Sequence, residues 1–195
     1  MLVRDVMTTQ VVTVRPEAHV KAAIELLDAH RITAMPVVDD DDLLVGVVSE
    51  ADVLRGALLP DRRAREIPVH VDGRTGPLTV GDVMTREVKS VTPDSDLAEA
   101  ASVLVDTHVK SLPVIDHGRV VGVVSRRDVI SVLARRDPLI RADVDDLLRA
   151  ADVVCDVEVV DGVVSLDGRL EEHAREIARV LAGTVPGVVG VAFRE

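Results

Sequence analysis

Residues 45–53 read VGVVSEADV and residues 121–129 read VGVVSRRDV, so one apolar stretch ending in Ser-x-x-Asp occurs twice in this chain. Three other motifs recur at an offset of 77 residues: VRDVMT at 3–8 and VGDVMT at 80–85, TVRP at 13–16 and SVTP at 90–93, and AMPVVD at 34–39 and SLPVID at 111–116. The repeated unit is long enough for a small α/β half-domain. Two copies are expected to pack as a pseudo-symmetric pair with clefts between them.

Hydrophobic periodicity predicts the order β-α-β-β-α in each copy, and therefore an α/β (α+β) fold. The elements predicted for the first copy are a strand at 11–14, a helix at 17–30, strands at 35–38 and 43–48, and a helix from Ser49 to near Gly56. The second copy repeats this order and ends in a helix at 128–134.

After Pro138 the pattern changes to α-β-β-α-β, which predicts a small separate module. Its first helix has an apolar stripe formed by Ile140, Val144, Leu147 and Leu148. Asp161-Gly162 is a dipeptide typical of a tight hairpin turn. The predicted boundaries are repeat 1 at 1–57, a connector at 58–78, repeat 2 at 79–136 and the C-terminal module, here called the tail, at 139–195.

Composition excludes several classes of function. The net charge of −11 repels nucleic acid backbones and anionic lipids, and Phe193 is the only aromatic residue, so stacking platforms for bases are lacking. Cys155 is the single cysteine and lies in an apolar run, which favours a buried structural thiol. Because no apolar run is long enough to span a membrane and no signal pattern opens the chain, we expect a soluble cytoplasmic protein.

The Ser-x-x-Asp motif that ends each repeat has two compatible interpretations. Ser49 with Asp52, and Ser125 with Asp128, fit a capping box, in which the serine and the acid satisfy free N–H groups at a helix start. The same atoms fit a nucleotide site, because a helix start attracts phosphate and a carboxylate accepts hydrogen bonds from a ribose diol. The sequence shows no catalytic triad order, phosphate-binding loop or metal-ligand spacing, so an enzyme and a required cofactor are not expected.

Together these motifs resemble the cystathionine-β-synthase (CBS) domain, and two copies resemble a CBS pair, or Bateman module. The resemblance implies a regulatory module that binds AMP, ADP, ATP or S-adenosylmethionine between the repeats. It implies that Asp52 and Asp128 hold ribose hydroxyls and that Ser49 and Ser125 lie at the ribose-phosphate end. The implied adenine-binding backbone and pocket-mouth residues are Met35, Pro36, Val37, Leu112, Pro113, Val114, Thr8, Thr13 and Thr85.

The two copies differ in charge directly after the serine. Glu50-Ala51 in the first copy corresponds in position to Arg126-Arg127 in the second. We therefore expect unequal sites, with the phosphate-bearing ligand beside Arg126 and Arg127. Arginines at 62, 63 and 65 of the connector either close over phosphates or form a solvated loop.

The tail resembles a BON domain through VVDGVVSLDGRL at 159–170 and VPGV at 185–188. That family implies phospholipid contact, but acidic residues outnumber basic ones in the tail, and a protein-docking module is favoured. The CBS resemblance also implies a homodimer through the repeat helices. Because the sequence shows no catalytic or transport domain, an effector is expected on a separate chain. The alternative function is a CBS-fold scaffold that binds no nucleotide and uses its tail for protein or phospholipid contact.

Overall fold

The computed structural model describes residues 1–55 and 78–194. The helices and strands of the first repeat are α1 (Val20–His30), β1 (Ala34–Val38), β2 (Leu44–Ser49) and α2 (Glu50–Leu54). Those of the second repeat are α3 (Val80–Val83), α4 (Leu97–Asp106), β3 (Ser111–Asp116), β4 (Arg119–Ser125) and α5 (Arg126–Leu133). Those of the tail are α6 (Asp137–Ala150), β5 (Asp156–Val160), β6 (Val163–Asp167), α7 (Glu172–Thr184) and β7 (Gly190–Arg194).

The β-α-β-β-α order of each repeat is confirmed, but its first strand is shorter than predicted. Of the strand predicted at residues 11–14, only Val14 forms a bridge, parallel to Val37 of β1. Its N–H donates to the Pro36 carbonyl at 3.2 Å, and its carbonyl accepts from Val38 at 3.0 Å. Pro16 follows two residues later and lacks the N–H that a longer ladder needs. The second repeat has the equivalent single bridge between Val91 and Val114.

The described chain forms two compact units, Met7–Pro93 with Val103–Val124, and Met1–Val6 with Asp94–Ser102 and Ser125–Glu195. The core of the first of these units is aliphatic. One buried cluster in it consists of Val14, Ala23, Leu27, Met35, Val37, Val48, Val53 and Val80. The predicted helical stripe of α1 lies on this core, with Val20 and Ile24 partly buried beside it.

The Asp-Val-Met-Thr segment of the second repeat pairs with a strand of the first. Thr85 and Val47 exchange two backbone hydrogen bonds, each 2.9 Å long. The approach is close enough to require glycine at the neighbouring position: a Cβ on Gly46 would lie 2.6 Å from Met84 Sδ. The glycine of β2 therefore allows the two repeats to pack together.

The first repeat makes the reciprocal contact. Thr8 and Val123 exchange backbone hydrogen bonds of 2.9 and 3.0 Å. A Cβ on Gly122 would lie 2.6 Å from Met7 Sδ. Both copies of the motif thus contact the opposite repeat in the same way, as expected for a pseudo-symmetric pair.

The tail has the predicted α-β-β-α-β order and a three-stranded sheet in the order β5-β6-β7. Strands β5 and β6 are antiparallel, and β6 and β7 are parallel. The hairpin turn lies at Asp161-Gly162 as predicted, with both residues at positive φ. The Asp137 carboxylate accepts hydrogen bonds from the N–H groups of Asp161 and Gly162, both at 2.9 Å, and so attaches the start of α6 to this turn.

Two predictions for the tail are corrected. Leu147 is 38% exposed, whereas the other members of its predicted stripe are buried, because α6 turns a narrower face toward the core than the sequence pattern suggests. Cys155 is only partly buried. That burial, together with the carboxylates of Asp145 and Asp156, raises the pKa of its thiol, which agrees with an unreactive side chain.

Within residues 1–55 and 78–194, no helix combines the length and the apolar character needed to cross a lipid bilayer.

Candidate ligand-binding cavity

The start of α2 is held by the side chains predicted from the Ser-x-x-Asp motif. The Ser49 N–H and the Ser49 hydroxyl both donate to Asp52 Oδ2, at 2.9 and 2.6 Å. No described residue donates to Asp52 Oδ1. The carboxylate is therefore anchored through one oxygen and keeps the other as an acceptor.

The same arrangement begins α5, where the N–H and hydroxyl of Ser125 donate to Asp128 Oδ2, both at 2.7 Å. It also begins α3, where the N–H and hydroxyl of Thr79 donate to Asp82 Oδ2 at 2.9 and 2.8 Å. The capping-box interpretation is thus confirmed. Because the box also occurs at α3, outside the repeated Ser-x-x-Asp positions, its presence does not by itself mark a ligand site.

A cavity of about 620 Å³ lies at the start of α2. It lies within the unit formed by Met7–Pro93 and Val103–Val124. Its lining comes from both repeats: residues 33–34, 47, 49–52 and 54 of the first, and residues 85, 87–89 and 107–113 of the second. A volume of this size falls in the range of small-ligand sites, roughly 300–1,000 Å³.

The cavity brings together five of the predicted site residues from both repeats. They are Ser49, Asp52, Thr85, Leu112 and Pro113. These residues are separated by as much as 64 positions in sequence. The backbone bridge between Thr85 and Val47 places the second repeat beside α2.

Other predicted residues lie elsewhere. Met35 and Pro36 line a crevice of only about 10 Å³, together with Pro113, and are otherwise buried. Val37 and Val114 are fully buried in the core and do not line the larger cavity. Thr8 and Thr13 are exposed and do not line the larger cavity.

The residues of the second predicted site do not line this cavity. Ser125, Arg126, Arg127 and Asp128 belong to the other compact unit, and the two arginines are exposed. A ligand site there, with phosphate beside the arginines, stays a prediction. The connector arginines at 62, 63 and 65, and the predicted end of the helix near Gly56, lie outside the described residues.

Charged residues that were not predicted from the motifs also line the cavity. Lys110 Nζ lies 3.3 Å from Glu50 Oε2, and Glu87 and Lys89 are on the same wall. Lys110 stands directly before the strand motif SLPVID, at the position that Thr33 occupies in the first copy. Thr33 also lines the cavity, but no motif of the sequence marks Thr33 or Lys110 as part of a site, because their place there depends on how the two repeats pack.

Among the residues that the structure describes, no group of three or more His, Cys, Asp or Glu side chains is placed to hold a metal ion. The cavity lining supplies carboxylates, ammonium groups, hydroxyls, the His108 imidazole and an apolar surface that includes Val88, Val109 and Pro113. Such a lining is suited to binding and orienting a small polar molecule.

Known proteins share this architecture. CBSX2 of Arabidopsis thaliana, crystallised in complex with AMP, superposes with a TM-score of 0.55 and 34% identity, over 67% of this chain and 93% of that one. The CBS domain pair of protein MJ0100, in complex with 5′-methylthioadenosine and S-adenosyl-L-methionine, superposes with a TM-score of 0.56 at 23% identity, over 68% of this chain and 94% of that one, and supports the fold alone.

Sequence comparison points the same way. CBS domain-containing protein YhcV of Bacillus subtilis is 30% identical over 120 residues, which are 62% of this chain and 76% of that protein. The match to full-length CBSX2 spans about half of that protein, 52%. The CBS domain profile matches residues 3–58 and 80–135, more than half of the chain. The chain therefore belongs to the CBS domain family and carries two CBS domains in tandem.

Proposed function

We propose that this chain is a regulatory module that binds an adenosine-containing ligand in the cavity beside α2. The ligand class comprises AMP, ADP, ATP and S-adenosylmethionine, and the module has no catalytic role of its own. The observation that carries the proposal is the carboxylate of Asp52, which lines a cavity of about 620 Å³ and whose Oδ1 accepts from no residue that the structure describes.

Asp52 is suited to a ribose diol. Oδ2 is occupied by the two donors of Ser49, which hold the carboxylate in one orientation. Oδ1 is left to accept from the ribose hydroxyls, and hydrogen bonds to a charged acceptor are about twice as strong as neutral ones. Pre-orientation by Ser49 reduces the entropy lost on binding.

The base would lie against the apolar part of the wall. Val88, Val109 and Pro113 offer contact surface for a flat ring, and backbone groups near Leu112 can pair with its edge. The AMP complex of CBSX2, which shares 34% identity with this chain, supports an adenine nucleotide as the first ligand to test.

The deciding experiment is isothermal titration calorimetry of the full chain with AMP, ATP and S-adenosylmethionine, repeated on Asp52→Asn. Loss of the charged acceptor should weaken binding by about tenfold or more. The matched control is Asp82→Asn, which alters the same capping box at α3, outside the cavity. Equal affinity of Asp52→Asn and the unaltered chain would exclude this ribose site.

The alternative is a scaffold that binds no nucleotide. One observation favours it: the capping box is complete at α3 and α5 as well as at α2, so the Ser and Asp residues have a structural role without any ligand. Absence of heat with all three ligands would support this alternative. The three boxes would then contribute only to stability.

As a sensor, the module must respond to its ligand. Binding shifts a conformational population only through different affinities for two states. We propose that the response alters docking of the BON-like tail or of an effector on another chain, within a homodimer. Light scattering with and without AMP tests the dimer, and anionic vesicles at low salt test phospholipid contact by the tail.

Ser125 and Asp128, with Arg126 and Arg127, are proposed as a second, phosphate-preferring site.

A further inference from the structure

The ion pair between Glu50 and Lys110 connects the two repeats at the wall of the cavity. Glu50 is the first residue of α2, and Lys110 directly precedes β3. Their charged atoms are 3.3 Å apart, and both side chains line the cavity while remaining about half exposed or more. Asp52, the residue proposed to bind ribose, lines the same cavity as both members of the pair.

A phosphate on the ligand would compete for this lysine. A phosphate group attached to the ribose carries more negative charge than a carboxylate and presents three acceptor oxygens. The partly exposed pair is itself weak, because solvent screens it and both side chains lose freedom to form it. Replacement of the Glu50 carboxylate by a ligand phosphate as the partner of Lys110 is therefore favourable. The negative charge of Glu50 still repels the phosphate and so weakens its binding.

We propose that Lys110 is the phosphate-binding residue of this cavity and that Glu50 is an internal competitor that the ligand's phosphate displaces. The inference rests on the proposed function and extends it to regulation. A nucleoside monophosphate breaks the Glu50–Lys110 link between the repeats, whereas adenosine leaves it intact.

The test compares adenosine with AMP, by calorimetry of the full chain. Glu50→Gln removes the competitor, so AMP should bind about threefold to fivefold more tightly while adenosine affinity stays within about twofold. Lys110→Gln removes the phosphate partner, so AMP affinity should fall by about tenfold or more, toward that of adenosine.

Matched controls line the same cavity without forming the pair. Glu87 and Lys89 make no ion pair with a described residue. Glu87→Gln and Lys89→Gln should leave the AMP-to-adenosine ratio within about twofold of its original value. Raising the salt concentration should lower that ratio in the unaltered chain and have little effect in Lys110→Gln.

The outcomes separate this inference from the proposed function. If AMP and adenosine bind but Glu50→Gln leaves their ratio unchanged, the competitor role is wrong and the nucleoside site stands. If Lys89→Gln, rather than Lys110→Gln, removes the preference for AMP, the phosphate is bound elsewhere on the wall. If variants at Glu50 and Lys110 change both affinities equally, their role is structural. If neither ligand binds the unaltered chain, the proposed function fails and the inference fails with it.

Discussion

The two helix starts at Ser49–Asp52 and Ser125–Asp128 share two internal hydrogen bonds but have different charges beside them. In each, one aspartate oxygen accepts from the N–H and the hydroxyl of the serine, at 2.6–2.9 Å in the first turn and at 2.7 Å in the second. Between serine and aspartate, the first turn carries Glu50 and the second Arg126. Backbone geometry is thus common to both copies, while charge is not.

This difference separates the residues that form the fold from those that choose a ligand. Glu50 and Lys110 form an ion pair. In the opposite copy, Arg126 stands in place of Glu50 and Thr33 in place of Lys110, and arginine with threonine forms no ion pair. Capping needs only serine and aspartate, so the position after the serine is free to vary. The repeat can therefore keep one fold while its two turns acquire different ligand preferences.

The largest expected effect that distinguishes the turns is on ligand affinity. Asp52→Asn should weaken AMP binding in the cavity by about tenfold to a hundredfold, because it removes a charged acceptor of the ribose hydroxyls. Asp128→Asn should leave this binding event unchanged, since Asp128 does not line the cavity. Calorimetry on both variants, fitted for number of sites, measures the two effects together.

Thermal unfolding of both variants supplies the control, because each loses one cap acceptor and should lose a similar stability, on the order of 1 kcal/mol. A fall in AMP affinity that is equal in Asp52→Asn and Asp128→Asn would remove the distinction between the turns.

A second expected effect concerns stability and should be equal in the two copies. Gly46→Val and Gly122→Val each place a side chain against a methionine sulfur that a Cβ alone would approach to 2.6 Å. Overpacking of this kind costs about 1–3 kcal/mol of unfolding free energy. Urea denaturation should give matching losses for the two variants. A clearly smaller loss for one of them would mean that the packing of the repeats is less symmetric than the backbone pairing indicates.

The sequence predicted those features that depend on local pattern. The order of elements, the hairpin at Asp161-Gly162 and the capping boxes all follow from periodicity, turn chemistry and residue spacing, and all are present. The single-residue bridge at Val14 was not predicted, because the length of a ladder depends on the partner strand and on Pro16 rather than on β-propensity.

The site was predicted in part, for a physical reason. Ser49, Asp52 and Pro113 belong to repeated motifs and were found. Lys110 belongs to no motif, and it reaches the cavity only because the second repeat packs beside α2, a tertiary relation that no local pattern reports. Thr8 and Thr13 were expected at a pocket mouth on the resemblance alone, and neither lines this cavity.

The smallest expected effect comes from removing each serine hydroxyl. Ser49→Ala and Ser125→Ala should each lower the free energy of unfolding by about 1 kcal/mol without ligand, as is typical for loss of an N-cap side chain. Thermal or urea unfolding without ligand measures both losses.

Added AMP should then separate the two serine variants. Ligand at a hundred times its dissociation constant stabilises the native state by about 2.7 kcal/mol, and weaker binding reduces that gain. Ser49 orients Asp52 through its hydroxyl, so Ser49→Ala should gain less stability from AMP than the unaltered chain does. Ser125→Ala should gain the full amount if the cavity beside α2 is the working site. If Ser125→Ala instead loses the gain and Ser49→Ala keeps it, the ligand binds at the arginine-bearing turn, and the contrast between the two turns must be reversed.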